Sequence, residues 1–219
     1  MTRYLSSLAF IPLLLWMGGC ASSGAPAARI AQPQIAAAYL PLQDRILGLP
    51  NANGAAMVIA PGVAVTNDHN DNLVSPKTIL GFGSASDLMF FRTTRNLTPP
   101  VAEPAIGKAV TAYGQGGSAE LRVAHGVICS IAGVAGHADS PYFIFAGNAG
   151  PGFSGGPVLD GDGRLIGITF GFEDRPQNRR LIFAYDMKRV AAEFQRKQPR
   201  KFKPGEQGGP DYGGCDRKS

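Results

Sequence analysis

The sequence has few charged residues, few histidines and few cysteines, and each shortage excludes a class of protein. Only 17% of the residues are charged and 44% are hydrophobic, which excludes a chain that is disordered throughout. The three cysteines and three histidines show no spacing typical of a zinc site, so we expect no metal. No repeat at solenoid periods is present. With 219 residues, the chain has room for one ordinary domain and extensions.

The apolar run near the amino terminus, residues 8–17, is too short to span a bilayer, which takes about 20 apolar residues. It fits the hydrophobic region of a signal peptide, which we place at residues 1–19. Two glycines precede Cys20, and small residues directly before a cysteine resemble the bacterial lipobox, whose cysteine thiol is acylated and becomes the mature amino terminus. Met17 stands where lipoboxes usually have leucine. A plain secretory signal is the alternative.

Two features after Cys20 concern the position of the chain in the cell. Ala21 rather than aspartate follows the cysteine, and by resemblance to the sorting pattern of such lipoproteins this indicates the outer membrane, facing the periplasm. Residues 20–38 are rich in alanine, serine, proline and glycine, which predicts a flexible spacer. We therefore expect a protein of the bacterial cell envelope that contacts the membrane through a lipid anchor.

The carboxyl-terminal end carries much of the net charge of +5. Its basic residues have few apolar neighbours: Arg196, Lys197, Arg200, Lys201 and Lys203. Because the run is short, a solvated tail is favoured over a nucleic-acid-binding arm. We expect residues 199–219 to be a disordered basic tail, and we expect no nucleic-acid partner.

Glycine and proline are abundant, with 29 and 17 residues, and glycine supplies the positive φ angles that tight turns need. Between them lie short apolar and β-branched segments, a pattern typical of an all-β sandwich or barrel. The predicted strands are 55–60, 63–66, 78–82, 88–92, 109–113, 119–129, 142–146, 158–159, 165–170 and 181–185. Asp186 predicts a capped helix over Met187–Arg196, with Val190, Ala191 and Phe194 on one face.

The strongest local motif surrounds Ser154, in the string GPGFSGGPV at residues 150–158. A serine hydroxyl is a weak nucleophile until a base takes its proton, so its surroundings must expose the Oγ atom. Glycines beside the serine let the backbone turn tightly and aim amide groups at one point, where they stabilise an oxyanion. The N–H groups of Gly152 and Ser154 are the candidate donors. An ordinary glycine-rich turn between strands is the alternative.

Chain order decides between two catalytic interpretations of this string, which also fits the nucleophile elbow of α/β-hydrolases. In those enzymes the histidine follows the serine, but all three histidines here, His69, His125 and His137, precede Ser154. The order histidine, aspartate, serine remains open. His69 ends a short β-run and is the candidate base. His125 lies in a predicted strand and His137 in a glycine-rich loop, so we expect both to be structural or exposed.

Three aspartates are candidates to orient His69. Asp87 leads directly into the apolar run 88–92, where a partly buried carboxylate needs a donor partner. It is favoured as the group that holds the His69 tautomer and stabilises the imidazolium. Asp68 and Asp71 flank His69 more closely but lack the following strand. A role in capping a turn is the alternative for Asp87.

The segments around these three residues resemble the trypsin-like serine proteases of the chymotrypsin fold, in particular the HtrA-like bacterial branch. The resemblance implies an all-β protease domain at residues 39–198, with antiparallel β-barrels at about 39–99 and 100–185 and a helix at 187–196. The triad would lie between the barrels, His69 and Asp87 from the first and Ser154 from the second. Only 18 positions separate His69 from Asp87, which is short for the family and implies a reduced first barrel.

Two residues depart from the family pattern. Asp68 stands where alanine usually precedes the histidine, and it puts a polar group in a tight place. Phe153 stands where animal enzymes have an aspartate that pairs with a newly cut amino terminus, so activation by that route is excluded.

The resemblance also implies substrate-binding residues. The segment 167–171 resembles the strand that pairs with the substrate backbone, which assigns Thr169, Phe170 and Gly171 to the binding site. Asn148 would lie near the base of the specificity pocket, and its neutral side chain argues against a requirement for Arg or Lys in the substrate. Phe170 has a competing interpretation as a core residue.

The remaining cysteines, Cys129 and Cys215, have two possible states. Thiols tend to oxidise outside the cytoplasm, so a disulfide could tether the tail to the domain. Two free thiols are the alternative.

The sequence thus predicts a serine endopeptidase that acts on protein or peptide substrates through an acyl-enzyme and needs no cofactor. A catalytically inactive, protease-like lipoprotein that binds peptides or envelope partners is the alternative. A surface scaffold recruited by the basic tail is a weaker one.

Overall fold

The computed structural model describes residues 29–46, 49–118, 120–134, 137–176, 179–201 and 213–216. The strands in this part of the chain are β1 (Tyr39–Ile46), β2 (Leu49–Ala60), β3 (Val63–Thr66), β4 (Ile79–Phe82), β5 (Met89–Arg92), β6 (Ala109–Gln115), β7 (Leu121–Val134), β8 (His137–Gly147), β9 (Pro157–Leu159), β10 (Leu165–Arg175) and β11 (Arg179–Asp186). The α-helices are α1 (Pro33–Ala38) and α2 (Met187–Arg196), and short 3₁₀ helices lie at Asp68–Leu73, Pro76–Thr78 and Gly213–Asp216. In the described ranges no helix is long and apolar enough to cross a membrane.

The first half of the domain is a five-stranded antiparallel sheet in the order β1-β2-β3-β5-β4. The sheet remains open, so the expected reduction of the first barrel is confirmed. β3 pairs with β5, and Thr66 lies opposite Met89. Because antiparallel pairing brings the end of one strand beside the start of the other, residues that follow β3 and residues that precede β5 lie at the same end of these two inner strands.

The second half is a closed antiparallel barrel in the order β10-β11-β8-β7-β6-β9. Closure leaves no unpaired edge strand. An open sheet, a closed barrel and a carboxyl-terminal helix together confirm the predicted all-β fold of the chymotrypsin type. The connection between the two halves runs from Arg92 to Ala109 and contains the predicted boundary at residues 99–100.

One hydrophobic core crosses from the sheet into the barrel. Val65 and Phe90 from the sheet belong to the same buried cluster as Ile168 and Tyr185 from the barrel. A second cluster, which includes Phe143, lies within the barrel. Since apolar side chains of both halves are removed from water together, the core fixes the two halves against each other and gives the cleft between them a defined shape.

The predicted helix α2 is confirmed at Met187–Arg196, and the Asp186 side chain caps it by accepting a hydrogen bond from the Arg189 N–H at 2.7 Å. The predicted apolar face is wrong in part. Val190 is buried, but Ala191 is exposed. The charged residues Arg189 and Glu193 are buried in its place, and they bind each other and the loop between β4 and β5.

Both ends of the domain differ from the flexible segments that the sequence predicts. Pro33–Ala38, assigned to the spacer, forms α1 and buries Ile35 and Ala38 in the core. At the other end a disulfide joins Cys129 of β7 to Cys215, which is buried, so residues 213–216 are held against the barrel and are not part of a free tail. Residues 1–28, including the predicted signal peptide and Cys20, lie outside the described residues.

Candidate active site

Ser154 lies in a tight turn between β8 and β9. The Phe153 N–H donates to the Gly150 carbonyl at 3.1 Å, and the Gly156 N–H donates to the Phe153 carbonyl at 2.8 Å. Gly152 follows Pro151 and has φ of 87°, the combination that a type II turn requires at its two central positions. The sequence of the string therefore dictates a backbone that turns sharply just before the serine.

Gly155 is required by space as well as by its φ of 78°. A Cβ atom there would lie 2.1 Å from the Ala55 carbonyl oxygen and 2.3 Å from the Thr66 Oγ1 atom. Gly152 is equally confined, because its Cβ would lie 1.9 Å from the carbonyl oxygen of Gln115, at the end of β6. The turn at residues 150–156, called the serine turn below, is thus packed tightly between the first sheet and the barrel.

The Ser154 backbone is hydrogen-bonded to β2 and to the segment that carries His69. Its carbonyl accepts from the Ala55 N–H at 2.9 Å and from the Asn70 Nδ2 atom at 3.2 Å. Asn70 also donates to the Thr66 Oγ1 atom at 3.0 Å, and that hydroxyl donates to the Ala55 carbonyl at 2.7 Å. Sequence reasoning missed Asn70 and Thr66, although both lie within three residues of the candidate histidine.

His69 lies in the 3₁₀ helix that follows β3, and Asp87 directly precedes the segment that becomes β5. The structure brings them together at the end of the paired strands β3 and β5, with 2.7 Å between the His69 Nδ1 and Asp87 Oδ2 atoms. The other carboxylate oxygen accepts from the backbone N–H groups of Asp68 at 2.9 Å and His69 at 3.2 Å. These bonds fix the carboxylate on Nδ1, so the opposite ring atom, Nε2, is left for a different partner. Asp71 instead forms an ion pair with Lys201, with 2.7 Å between Nζ and Oδ2.

The electrostatic setting strengthens His69 as a base. The hydrogen bond to Asp87 is the main reason that the pKa of His69 lies above its usual value, and burial opposes it. Asp68 is affected more strongly: burial, followed by the adjacent Asp87 carboxylate, raises the pKa of Asp68 to about 7. The residue that departs from the family pattern thus carries a carboxyl group that titrates near neutrality beside the candidate triad.

Two backbone N–H groups beside the serine, those of Gly152 and Ser154, are the predicted oxyanion donors. Among the hydrogen bonds of the described residues, neither the Gly152 nor the Ser154 N–H donates to a backbone carbonyl. The Gly152 carbonyl accepts from the Gln115 N–H at 2.8 Å, which fixes the orientation of this stretch of backbone. Both predicted oxyanion donors therefore belong to one turn, and neither is used in backbone pairing.

A cavity of about 10 Å³ lies beside Ser154, which is about the space of one water molecule. Its walls include Ala149, Phe153, Thr169, Gly171, Phe172 and Ile182. Arg180 holds two of these walls: its Nη1 atom donates to the Ala149 carbonyl at 3.0 Å, and its guanidinium lies 4.4 Å from the centre of the Phe172 ring. Arg180 therefore restrains two of the residues that line the cavity.

Asn148 differs from the expected position, and Phe170 packs as its competing interpretation predicts. Asn148 is not among the described residues that line the cavity, because its Oδ1 atom accepts from the backbone N–H of His125 on β7 at 3.1 Å. Phe170 stacks on Tyr185, with 4.0 Å between the ring centres, and packs against the core. Thr169 and Gly171 do line the cavity. His125 is exposed on the barrel beside Thr111, and the His137 side chain lies outside the described residues.

The described ranges contain no group of three or more His, Cys, Asp or Glu side chains arranged to hold a metal ion.

Comparison with solved structures finds the same fold in bacterial proteases. A serine-to-alanine mutant of Rv3671c from M. tuberculosis H37Rv, in an inactive form, has a TM-score of 0.56 and 16% identity, over 80% of this chain and 95% of that chain. The HtrA-type protease AlgW with a tripeptide has a TM-score of 0.58 and 19% identity, over 74% and 60%. The serine endoprotease from Yersinia pestis has a TM-score of 0.56 and 20% identity, over 74% and 63%.

Comparison at the sequence level gives two further results. No curated protein sequence matches this chain. The sequence pattern of the trypsin-like peptidase domain matches residues 49–168, which include His69, Asp87 and Ser154. Since this match covers more than half of the chain, the protein belongs to the trypsin-like peptidase domain family.

Proposed function

We propose that the chain is a serine endopeptidase that hydrolyses peptide bonds in protein or peptide substrates. The Ser154 Oγ atom attacks the substrate carbonyl while His69 takes the hydroxyl proton on Nε2. Asp87 stabilises the imidazolium that forms, and the N–H groups of Gly152 and Ser154 bind the oxyanion. His69 then gives its proton to the leaving amine. A water molecule, activated by His69 in turn, hydrolyses the ester and restores the hydroxyl of Ser154.

One observation carries this proposal. Asn70 donates to the Ser154 carbonyl, and its neighbour His69 is bonded to Asp87. Hydrogen bonds therefore link Ser154 to the segment of His69, and His69 to Asp87, at one end of the strands β3 and β5. The bonded pair His69–Asp87 and the glycine-rich turn of Ser154, linked through Asn70, support a catalytic role for the three residues.

The size of the cavity supports a preference for small substrate side chains. A cavity of about 10 Å³ beside Ser154 is too small for the side chain of lysine or arginine or for an aromatic ring unless a lining residue such as Phe172 moves. We expect the residue on the carbonyl side of the cleaved bond to be small and uncharged, such as alanine.

A fluorophosphonate probe tests the proposal, because it labels only an activated serine. We expect labelling of the native protein, none of the heat-denatured protein, and none of a Ser154→Ala variant. The exposed Ser75 supplies a matched control, since Ser75→Ala should label as the native protein does. In a second arm, a peptide phosphonate that ends in alanine should react faster than one that ends in lysine. Equal labelling of the Ser154→Ala variant would refute the assignment of the nucleophile.

A binding module without catalysis is the second candidate, favoured by Asp68 beside the triad and by the narrow cavity. Such a protein would hold peptides or envelope partners in the same cleft. Failure of the native protein to label under any condition, together with measurable peptide binding, would support this function over the first.

We further propose that the chain is lipid-anchored through Cys20 to the outer membrane, on its periplasmic side. Expression in a bacterium supplied with labelled palmitate tests this. The full chain should incorporate the label and fractionate with outer membranes, whereas a Cys20→Ser variant should lose the label. Incorporation that persists in the variant, or a native protein released as a soluble form, would contradict lipidation at Cys20.

A further inference from the structure

The loop Gly83–Asp87 delivers Asp87 to His69, and the structure surrounds it with buried polar side chains from the carboxyl-terminal part of the chain. A carboxylate or guanidinium removed from water costs several kcal/mol unless partners satisfy it. Arg189 and Glu193 of α2 are 0% and 3% exposed. Two such residues on one short helix require an explanation in terms of what they bind.

The contacts of Glu193 with the loop account for most of its burial. Its Oε2 atom accepts three hydrogen bonds from the loop, from the Ser84 N–H at 2.5 Å, the Ser84 Oγ atom at 3.0 Å and the Ala85 N–H at 3.2 Å. Its Oε1 atom lies 3.6 Å from the Arg189 Nη2 atom. Several donors on one carboxylate oxygen restrain the loop more tightly than a single neutral bond would.

Arg189 and Tyr185 hold the rest of the loop. The Arg189 Nη2 atom donates to the Ala85 carbonyl, and its guanidinium lies 5.1 Å from the centre of the Tyr185 ring. The Tyr185 hydroxyl accepts from the Asp87 N–H at 3.1 Å. On the opposite side, the Asn67 Nδ2 atom donates to the Asp87 carbonyl at 2.8 Å. The backbone of Asp87 is therefore held between β11 and the segment that leads to His69.

The end of the chain adds a further restraint next to the loop. After α2, Gln198 exchanges two backbone hydrogen bonds of 2.8 Å with Phe82, directly before Gly83. The last residue of β4, Phe82, is thereby paired on the side of the strand that faces away from β5. The loop thus begins after β4, which Gln198 pairs with. It contacts Glu193 and Arg189, and it ends at Asp87, whose N–H is bonded to Tyr185.

We propose that Glu193, together with Arg189 and Tyr185, is a positioning residue that sets the Asp87 carboxylate against His69 from the carboxyl-terminal helix. The inference rests on the proposed function, in which Asp87 orients the base. It assigns the buried pair of α2 a role in the reaction besides its role in packing. A displacement of the loop by a fraction of an ångström would lengthen the bond of 2.7 Å between Asp87 and His69 and weaken the base.

The test combines turnover with an NMR titration of His69. Glu193→Gln keeps the volume of the side chain but removes the charge that receives the loop donors. We expect kcat to fall about 10- to 100-fold. We also expect the pKa of His69 to fall toward its ordinary value, because the bond to Asp87 is the main cause of its elevation. The acid limb of the pH profile should move to lower pH accordingly.

The groups that influence this titration are known. His69 faces Asp87, Asp68 and Lys201, and the charge state of Asp68 changes near pH 7, so its titration must be fitted separately. Arg189 faces Tyr185, Glu193, Asp186 and Arg196. None of these except Glu193 differs between the native protein and the variant, so a shift of the His69 pKa reports the geometry at Asp87.

Two further variants make the test decisive. Lys188→Met removes an exposed ion pair with Glu103 from the same helix and should leave kcat and the His69 titration unchanged. Tyr185→Phe removes the hydroxyl that accepts from the Asp87 N–H; it should give a smaller effect in the same direction, and it serves if Glu193→Gln fails to fold. An unchanged His69 pKa in a folded Glu193→Gln variant with only a lower Tm would overturn the inference. Because NMR titration needs no turnover, it distinguishes this failure from the absence of peptidase activity in the native protein.

Discussion

Replacement of Asp87 by asparagine is expected to lower kcat about 10⁴-fold while the protein stays folded. The Asp87 carboxylate accepts from the His69 ring at 2.7 Å and from two backbone N–H groups. An asparagine keeps this shape, but its amide group favours the imidazole tautomer that carries its proton on Nε2 and cannot take one from Ser154. The loss is measured as kcat on a peptide substrate, with Tm recorded for both proteins.

Asp71 provides a matched control for this substitution. It lies on the same 3₁₀ helix as His69, but it pairs with Lys201 near the surface. We expect Asp71→Asn to change kcat by less than about fivefold, because partly exposed ion pairs contribute little. Similar losses in the two variants would show that negative charge near His69 matters and that the bond to Nδ1 does not.

Gly155→Ala is expected to destabilise the protein by about 2–5 kcal/mol and to abolish activity in whatever fraction remains folded. The φ of 78° is strained for alanine, and its Cβ would lie 2.1 Å from the Ala55 carbonyl oxygen and 2.3 Å from the Thr66 Oγ1 atom. Relief of these contacts requires the serine turn to leave the first sheet, which breaks the bonds from Ala55 and Asn70 to Ser154. Denaturant unfolding measures the first effect and fluorophosphonate labelling the second.

The control for this prediction is Gly161→Ala in the hairpin after β9. A Cβ atom at Gly161 meets no other atom within 4 Å, and the position does not need a positive φ. The variant should keep native stability within about 0.5 kcal/mol and label normally. If Gly155→Ala behaved in the same way, the serine turn would not be clamped between the two halves of the domain.

The sequence predicts the local structure around the candidate site well where that structure depends on neighbouring residues. The glycines around Ser154 impose a turn whose φ angles only glycine adopts easily, and the structure has them at Gly152 and Gly155. His69 and Asp87 each adjoin a short β-run, and antiparallel pairing of β3 with β5 then brings them together. Chain order alone separated this arrangement from that of α/β-hydrolases.

Contacts between distant segments carry no such local signal. Asn70, Glu193 and Arg189 look like ordinary surface residues in the sequence, and only the tertiary fold buries them beside the serine and the Asp87 loop. The helix α2 shows this most clearly, because the apolar pattern predicted Ala191 in the interface where Arg189 and Glu193 actually lie. Buried charges are rare, so periodicity of apolar residues cannot locate them.

The strand β1 and the residue Asn148 show a similar limit. β1 was not predicted, because its sequence YLPLQDRI contains a proline and a charged pair and has no alternation of apolar residues. It lies at the edge of the first sheet, where only β2 pairs with it and proline is tolerated. Asn148 was predicted at the pocket base from its distance to Ser154 in sequence, but its hydrogen bond to the backbone of β7 holds it elsewhere.

A crystal structure of the protein after reaction with a fluorophosphonate tests the central claim most directly. We predict a covalent bond from phosphorus to the Ser154 Oγ atom and one phosphonyl oxygen about 3 Å from both the Gly152 and Ser154 amide nitrogens. The His69 ring should lie between the adduct and Asp87, with its Nδ1 atom still bonded to the carboxylate. An adduct on another residue, or an imidazole turned away from a modified Ser154, would contradict the account.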